Sequence, residues 1–229
     1  MDTRIARVAK ERKNAVKMFG RMLKVSLVLF LAILFGAVVF RIVISERYPS
    51  DTVRFVATDA VSEYYEEKGE LIAYTQELRT PYENAKNGKF SADGLIVIPD
   101  ASHLQVTVRN NNSAMKVMAE EYKLDEIPAA KEGAFRYTLS VKYNDREGFV
   151  ILEPSYHTES TAYMYRYTKL AFDGVSFDNV AYMRVDIYYE DRAEAYGHIP
   201  VYETTFEYDG ELYPYESEPF RIPEEDLPK

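Results

Sequence analysis

Cysteine and tryptophan are missing from the 229-residue chain, and histidine occurs three times. The lack of cysteine excludes a disulfide framework, thiolate metal sites, a cysteine nucleophile and lipid attachment through sulfur. A folded part must therefore rest on its hydrophobic core, and the 184 residues from Glu46 to Lys229 are enough to bury one. Catalytic signatures are missing too: there is no G-x-S-x-G elbow, no G-x-x-x-x-G-K-[ST] loop, no H-E-x-x-H pair and no EF-hand loop. The expectation is a chain without catalytic residues, cofactor or metal. No repeat of 20–50 residues and no low-complexity tract is present.

What is present is divided by charge. Residues 1–24 carry eight Lys/Arg against Asp2 and Glu11, a net of +6. Arg41 adds one, so the overall −9 leaves −16 for Glu46 to Lys229. Such a split points to segments in different surroundings.

Between the two lies VSLVLFLAILFGAVVF, Val25 to Phe40, sixteen residues without a charge. Taken to Ile44 the run has twenty residues, about 30 Å as a helix, the thickness of a bilayer's hydrocarbon core. Twelve of the sixteen are Leu, Ile, Val or Phe, worth about −4 to −7 kcal/mol for insertion. Arg41 lies near the outer end, where it can snorkel to headgroups. A cleaved signal peptide would end in small residues, whereas Phe40-Arg41-Ile42-Val43-Ile44 is bulky. The expected arrangement is a signal anchor over 25–45 (Val25, Leu29, Ile33, Phe40 and Ile44 facing lipid) in the cell membrane. The basic 1–24 tail stays in the cytoplasm and the C-terminal part lies outside. Apolar residues from Ile5 to Leu23 recur at roughly helical spacing among the basic ones, so the tail reads as an interfacial helix or as a plain topogenic charge cluster.

Beyond the anchor, Val53, Val56, Ala57, Ala60, Val61 and Tyr64 define one apolar helix face. This predicts a juxtamembrane helix over about Thr52 to Lys68, within a 46–70 segment, closed by Gly69. From Leu71 the period changes to two. Segments 104–110, 135–143 and 180–190 alternate apolar with polar residues. Weaker strands fall near 71–78, 94–98, 149–153, 162–172, 199–208 and 211–216, and Asp209-Gly210 marks a hairpin. Ser113 to Leu124 reads as a short inserted helix.

Seven to nine strands without alternating helices imply a mainly β fold over 71–216: an antiparallel β-sandwich of immunoglobulin- or fibronectin-III-like arrangement, without the Cys…Trp…Cys hallmark. Residues 217–229, acidic and proline-containing, read as a loosely attached tail.

His103, His157 and His198 are far apart in sequence and read as surface imidazoles rather than a zinc site. Asp173, Asp178, Asp186, Glu190, Asp191 and Glu194 gather near turns, where calcium could bind. With thirty-five acids from Glu46 onward, though, such neighbours arise by chance. Asn111-Asn112-Ser113 fits a glycosylation sequon. Tyrosine is the unusual residue, twenty against twelve Phe. Tyr163, Tyr165 and Tyr167 on one strand and Tyr182 and Tyr188 on another form the candidate binding face, since tyrosine offers amphipathic area at low entropic cost. The alternative is that these rings fill volume in the core. The acidic charge argues against nucleic acid as a partner.

The function expected is a membrane-anchored extracytoplasmic module that binds an envelope protein or polymer. The alternatives are a carboxylate-based envelope hydrolase or transferase, and a structural subunit of a membrane complex.

Overall fold

The computed structural model describes residues 2–45, 54–76, 90–162, 165–208, 210–214 and 216–229. The chain divides into two compact units, Met1–Arg47 and Tyr48–Lys229.

The first unit is one helix, α1 (Asp2–Ser45). The basic segment and the apolar run share it without a break, and Lys17–Phe40 is long and apolar enough to cross a membrane. None of that stretch is buried: Val25, Leu29, Ile33 and Phe40 are 56–65% exposed. A core helix of a soluble domain hides at least a stripe of its surface, and this one hides none.

The second unit is mainly β. It contains α2 (Asp59–Lys68), β1 (Ala73–Thr75), β2 (Phe90–Ile98), β3 (His103–Asn111), α3 (Asn112–Tyr122), β4 (Phe135–Tyr143) and β5 (Phe149–Leu152). There follow β6 (Tyr156–Ala162), β7 (Tyr165–Asp173), β8 (Val180–Tyr189), β9 (Gly197–Glu203), β10 (Thr205–Tyr208), β11 (Glu211–Pro214) and β12 (Glu218–Phe220). A six-stranded sheet runs β12-β1-β2-β3-β7-β6, and a four-stranded sheet runs β5-β4-β8-β9. Among the described residues every pairing is antiparallel. Hairpins are dealt alternately: β2-β3 and β6-β7 to the larger sheet, β4-β5 and β8-β9 to the smaller.

Period-2 alternation sends one face of each sheet into a common core. Leu104, Val106, Val108, Leu170 and Phe172 from the larger sheet join Leu139, Val141, Met183, Val185, Ile187, Ile199 and Val201 from the smaller. Met115 and Met118 of α3 complete it, both fully buried. One end is closed by rings. Phe90 meets Phe135 edge-on at 5.0 Å and Tyr196 at 5.9 Å, and Tyr122 stacks on Tyr189 at 6.1 Å. Tyrosine does here what tryptophan does elsewhere: Tyr137, Tyr143, Tyr167, Tyr189 and Tyr196 are all buried.

A second, smaller core covers the opposite face of the larger sheet. A bulge between Asp93 and Ile96, at Gly94 with φ +63°, turns Ile96 and Ile98 outward, where Phe55, Val61, Ala73 and Ile222 meet them.

Three expectations need correction here. The stripe beginning at Val53 predicted a helix from about Thr52, but α2 starts at Asp59. Thr58 is its extended N-cap, with ψ 170° and its hydroxyl accepting from Val61 N–H. Residues 54–58 are held outside the helix by tertiary bonds: the Gln105 amide accepts from Val56 N–H at 2.9 Å and donates to the Arg54 carbonyl at 3.1 Å. Two backbone-like bonds outweigh a weak local helical preference. The C-terminal tail is docked: β12 pairs with β1, Ile222 is 8% exposed, and Arg54 pairs with Asp226. Its proline and acid content masked the few apolar anchors that matter. His103 is wholly buried rather than on the surface, because the lead-in segment lies over it.

Candidate functional site

The five tyrosines of the expected binding face do not share a face. Tyr163 lies outside the described residues. Tyr165 and Tyr167 sit on the outer side of the larger sheet, opposite Leu170 and Phe172. There the Arg109 guanidinium covers Tyr165 at 4.9 Å, and Tyr167 is 1% exposed. Tyr182 and Tyr188 lie instead on the outer face of the four-stranded sheet, since Met183, Val185 and Ile187 between them point into the core.

Register defines that face in rows across β5, β4, β8 and β9. Phe149, Lys142, Tyr182 and Glu203 form one row, and Ile151, Ser140, Arg184 and Pro200 the next. Thr138, Asp186 and His198 form the third, and Arg136 and Tyr188 the fourth. Arg136 covers Tyr188 at 4.3 Å, and Arg184 covers Phe149 at 4.5 Å. At the centre is Asp186, 3% exposed. Ser140 Oγ donates to its Oδ2 at 2.5 Å, and Arg184 Nε lies 2.9 Å from Oδ1, too far out of line for a hydrogen bond. Arg184 Nε, Asp186 Oδ1 and the buried Thr138 Oγ1 thus keep unused hydrogen-bonding capacity among the described residues.

Burial raises the Tyr182 phenol above its ordinary value, so it remains a neutral donor. Burial, with Arg184 nearby, lowers the His198 imidazole, and Asp186 offsets part of that. Phe149 and Ile151 are 41% and 59% exposed, side by side on edge strand β5. Aromatic surface, aliphatic surface and guanidinium groups therefore share one half-wet face, with the Asp186 carboxylate buried beneath it. Such a mixture suits a protein–protein contact.

The sequence reading missed Phe149, Ile151 and the Arg184–Asp186 pair. Phe149-Val150-Ile151-Leu152 is apolar at every position, but so is the buried run Leu95-Ile96-Val97-Ile98, so sequence alone did not mark the first as exposed. Two hollows lie elsewhere, one of about 450 Å³ at the β4–β5 turn and one of about 380 Å³ beside Lys123, Pro128 and Tyr189. In the second, Lys131 pairs with Glu190 and pulls its carboxyl down. Glu67 and Glu190 are lowered by lysine partners; for Glu159 and Asp173 burial pushes up, but hydrogen bonds and neighbouring charge outweigh it. A general acid needs the opposite shift. The acids near turns are likewise engaged separately: Asp173 with His103, Asp186 with Ser140, and Glu190 with Lys131. Among the described residues no three His or acidic side chains converge as a metal site. Asn111 of the sequon serves as N-cap of α3, its Oδ1 accepting from Ser113 N–H at 2.7 Å.

Compared with protein-family models, curated proteins and solved structures, the chain finds no match in any of the three.

Proposed function

We propose that the chain is a single-pass membrane protein with its N-terminus in the cytoplasm. Its outer domain is an immunoglobulin-like sandwich that binds a protein of the cell envelope without catalysing a reaction. The strand order supports the sandwich reading. With β2 to β9 taken as A, B, C, C′, D, E, F and G, the sheets read A-B-E-D and C′-C-F-G. Buried aliphatics such as Val106 and Val185 then hold the two sheets together where immunoglobulin domains use cystine. The exposed helix Lys17–Phe40, basic on its N-terminal side, supports the anchor.

The observation that carries the binding reading is the contrast between the two outer faces. The larger sheet carries segment 54–58 and α2 on its outer side, whereas the smaller shows Phe149 and Ile151 to solvent beside Tyr182 and Tyr188. The test is recovery of the full-length chain from mildly solubilised native membranes, as wild type and with Tyr182→Ala and Tyr188→Ala together. A specific partner is expected with the wild type and reduced at least about tenfold with the variant. Equal retention by both, or by neither, removes the reading.

A further inference from the structure

The six- and four-stranded sheets end in four edges, β12 and β6 on the larger, β5 and β9 on the smaller; the separate β10-β11 pair carries Glu207 on one strand and Glu211 and Pro214 on the other. An open edge offers unpaired N–H and C=O groups to any other strand, and folded proteins normally blunt it. Three of these edges are blunted. β12 has Pro219 at its centre. β9 has Pro200 and a bulge opposite Met183 and Arg184. β6 is polar from His157 to Thr161 and turns the charged Glu159 inward onto Arg166 at 2.5 Å. The fourth, β5, is Phe-Val-Ile-Leu, without proline, charge or bulge.

We propose that β5 pairs antiparallel with β5 of a second copy of this chain, joining two four-stranded sheets into one of eight. The occupant follows from the edge itself. Residues opposite each other in an antiparallel pair share a face, so outward Phe149 and Ile151 must meet outward residues. A two-fold axis through Val150 places Phe149 against Ile151 of the second copy, the reverse pair symmetrically, and Val150 against its own equivalent. The edge is thus its own complement. Among the described edges of these two sheets β5 alone is unblunted, so the contact is isologous and closes at two copies; a second such edge would have propagated a fibre. The joined sheet sets two Tyr182–Tyr188 patches in one plane. Glu147 falls opposite Glu153 of the second copy, so screening by salt tightens the pair. The membrane anchoring proposed above enters only by confining copies to one plane and raising their effective concentration.

The cysteine-free chain makes the test direct. Single cysteines are placed in the full-length protein at Phe149, Val150, Ile151 and Leu152, with Ser160→Cys on β6 as control, and oxidised mildly in native membranes. Disulfide-linked dimer is expected to peak with Val150→Cys, at least about tenfold above Ser160→Cys, and to increase with salt. Adding Ile151→Lys to Val150→Cys is expected to abolish it; Ile151 is exposed enough for far-UV circular dichroism to stay unchanged. A Val150→Cys yield no higher than the control, a maximum at another position, a yield that falls with salt, or indifference to Ile151→Lys overturns the proposal. Its failure is separable from that of the binding face: without the dimer, a partner lost with the Tyr182 and Tyr188 substitutions still stands, and the dimer stands without such a partner.

Discussion

Asp173 is in hydrogen-bond contact with side chains from two other parts of the β unit. Its Oδ1 takes the His103 Nδ1 contact at 2.8 Å and the Thr58 hydroxyl at 2.9 Å. Thr58 in turn caps α2, so one carboxylate ties β7, β3 and the lead-in segment together. Burial pushes the Asp173 carboxyl up, but the hydrogen bonds from His103, Ser155 and Thr58 outweigh it and leave it lowered. A lowered folded value means that the unfolded chain binds the proton more readily. The stabilisation is therefore complete above the ordinary Asp value of about 3.9 and is lost as pH falls below it. Asp173→Asn should cost about 1–2 kcal/mol at neutral pH, the lower part of the range for charged hydrogen bonds because the side chain is partly wet. It should also flatten the acid limb of stability against pH, as read by urea denaturation. His198 acts in a higher window. Its imidazole is lowered, so stability declines as pH drops through about 6.5, where the unfolded chain protonates first. His198→Gln should remove that slope and leave the Asp173 limb intact.

At the scale of elements, the ring cluster that closes one end of the core is the most sensitive place to cut. Phe90 is fully buried and touches both Phe135 and Tyr196. Phe90→Ala should cost about 3–5 kcal/mol through lost transfer energy and an unfilled cavity. The exposed Leu212→Ala should change stability by under about 0.5 kcal/mol in the same denaturation series. Strands with one wet face were readable from sequence because alternation leaves its mark on every residue: 135–143 coincides with β4, and 104–110 and 180–190 match β3 and β8 to within a residue or two. β6 was not readable. Its Tyr-His-Thr-Glu-Ser-Thr-Ala run has no apolar alternation, since an edge strand that turns Glu159 inward breaks the rule the reading depended on. β12 hid behind Pro219 for the same reason, and residues 54–58 were misread because Gln105, some fifty positions away, decides their conformation. The candidate site was half legible. Tyrosine content singled out Tyr182 and Tyr188, but it gave equal weight to Tyr167, and only tertiary placement separates a half-exposed ring from a fully buried one.

At the scale of the whole chain, magnitudes favour the proposed orientation. The segment ahead of the apolar helix carries a net +6 and the segment after it −16. Each elementary charge carried across a membrane potential is worth about 2.3 kcal/mol per 100 mV. Drawing six net positive charges out against an inside-negative potential would cost roughly 14 kcal/mol per 100 mV, far beyond the about 4–7 kcal/mol that the apolar run gains by inserting. Placing the acidic domain outside instead moves its charge with the field. The lack of cysteine again supplies the measurement. Asn14→Cys should resist a membrane-impermeant maleimide added to cells whose outer envelope admits it, and react only after the membrane is opened. Glu147→Cys, on the β4–β5 turn, should react at once. The reverse pattern would invert the orientation, and immediate labelling of both would show that Lys17–Phe40, for all its length and apolar exposure, does not hold the chain across a bilayer.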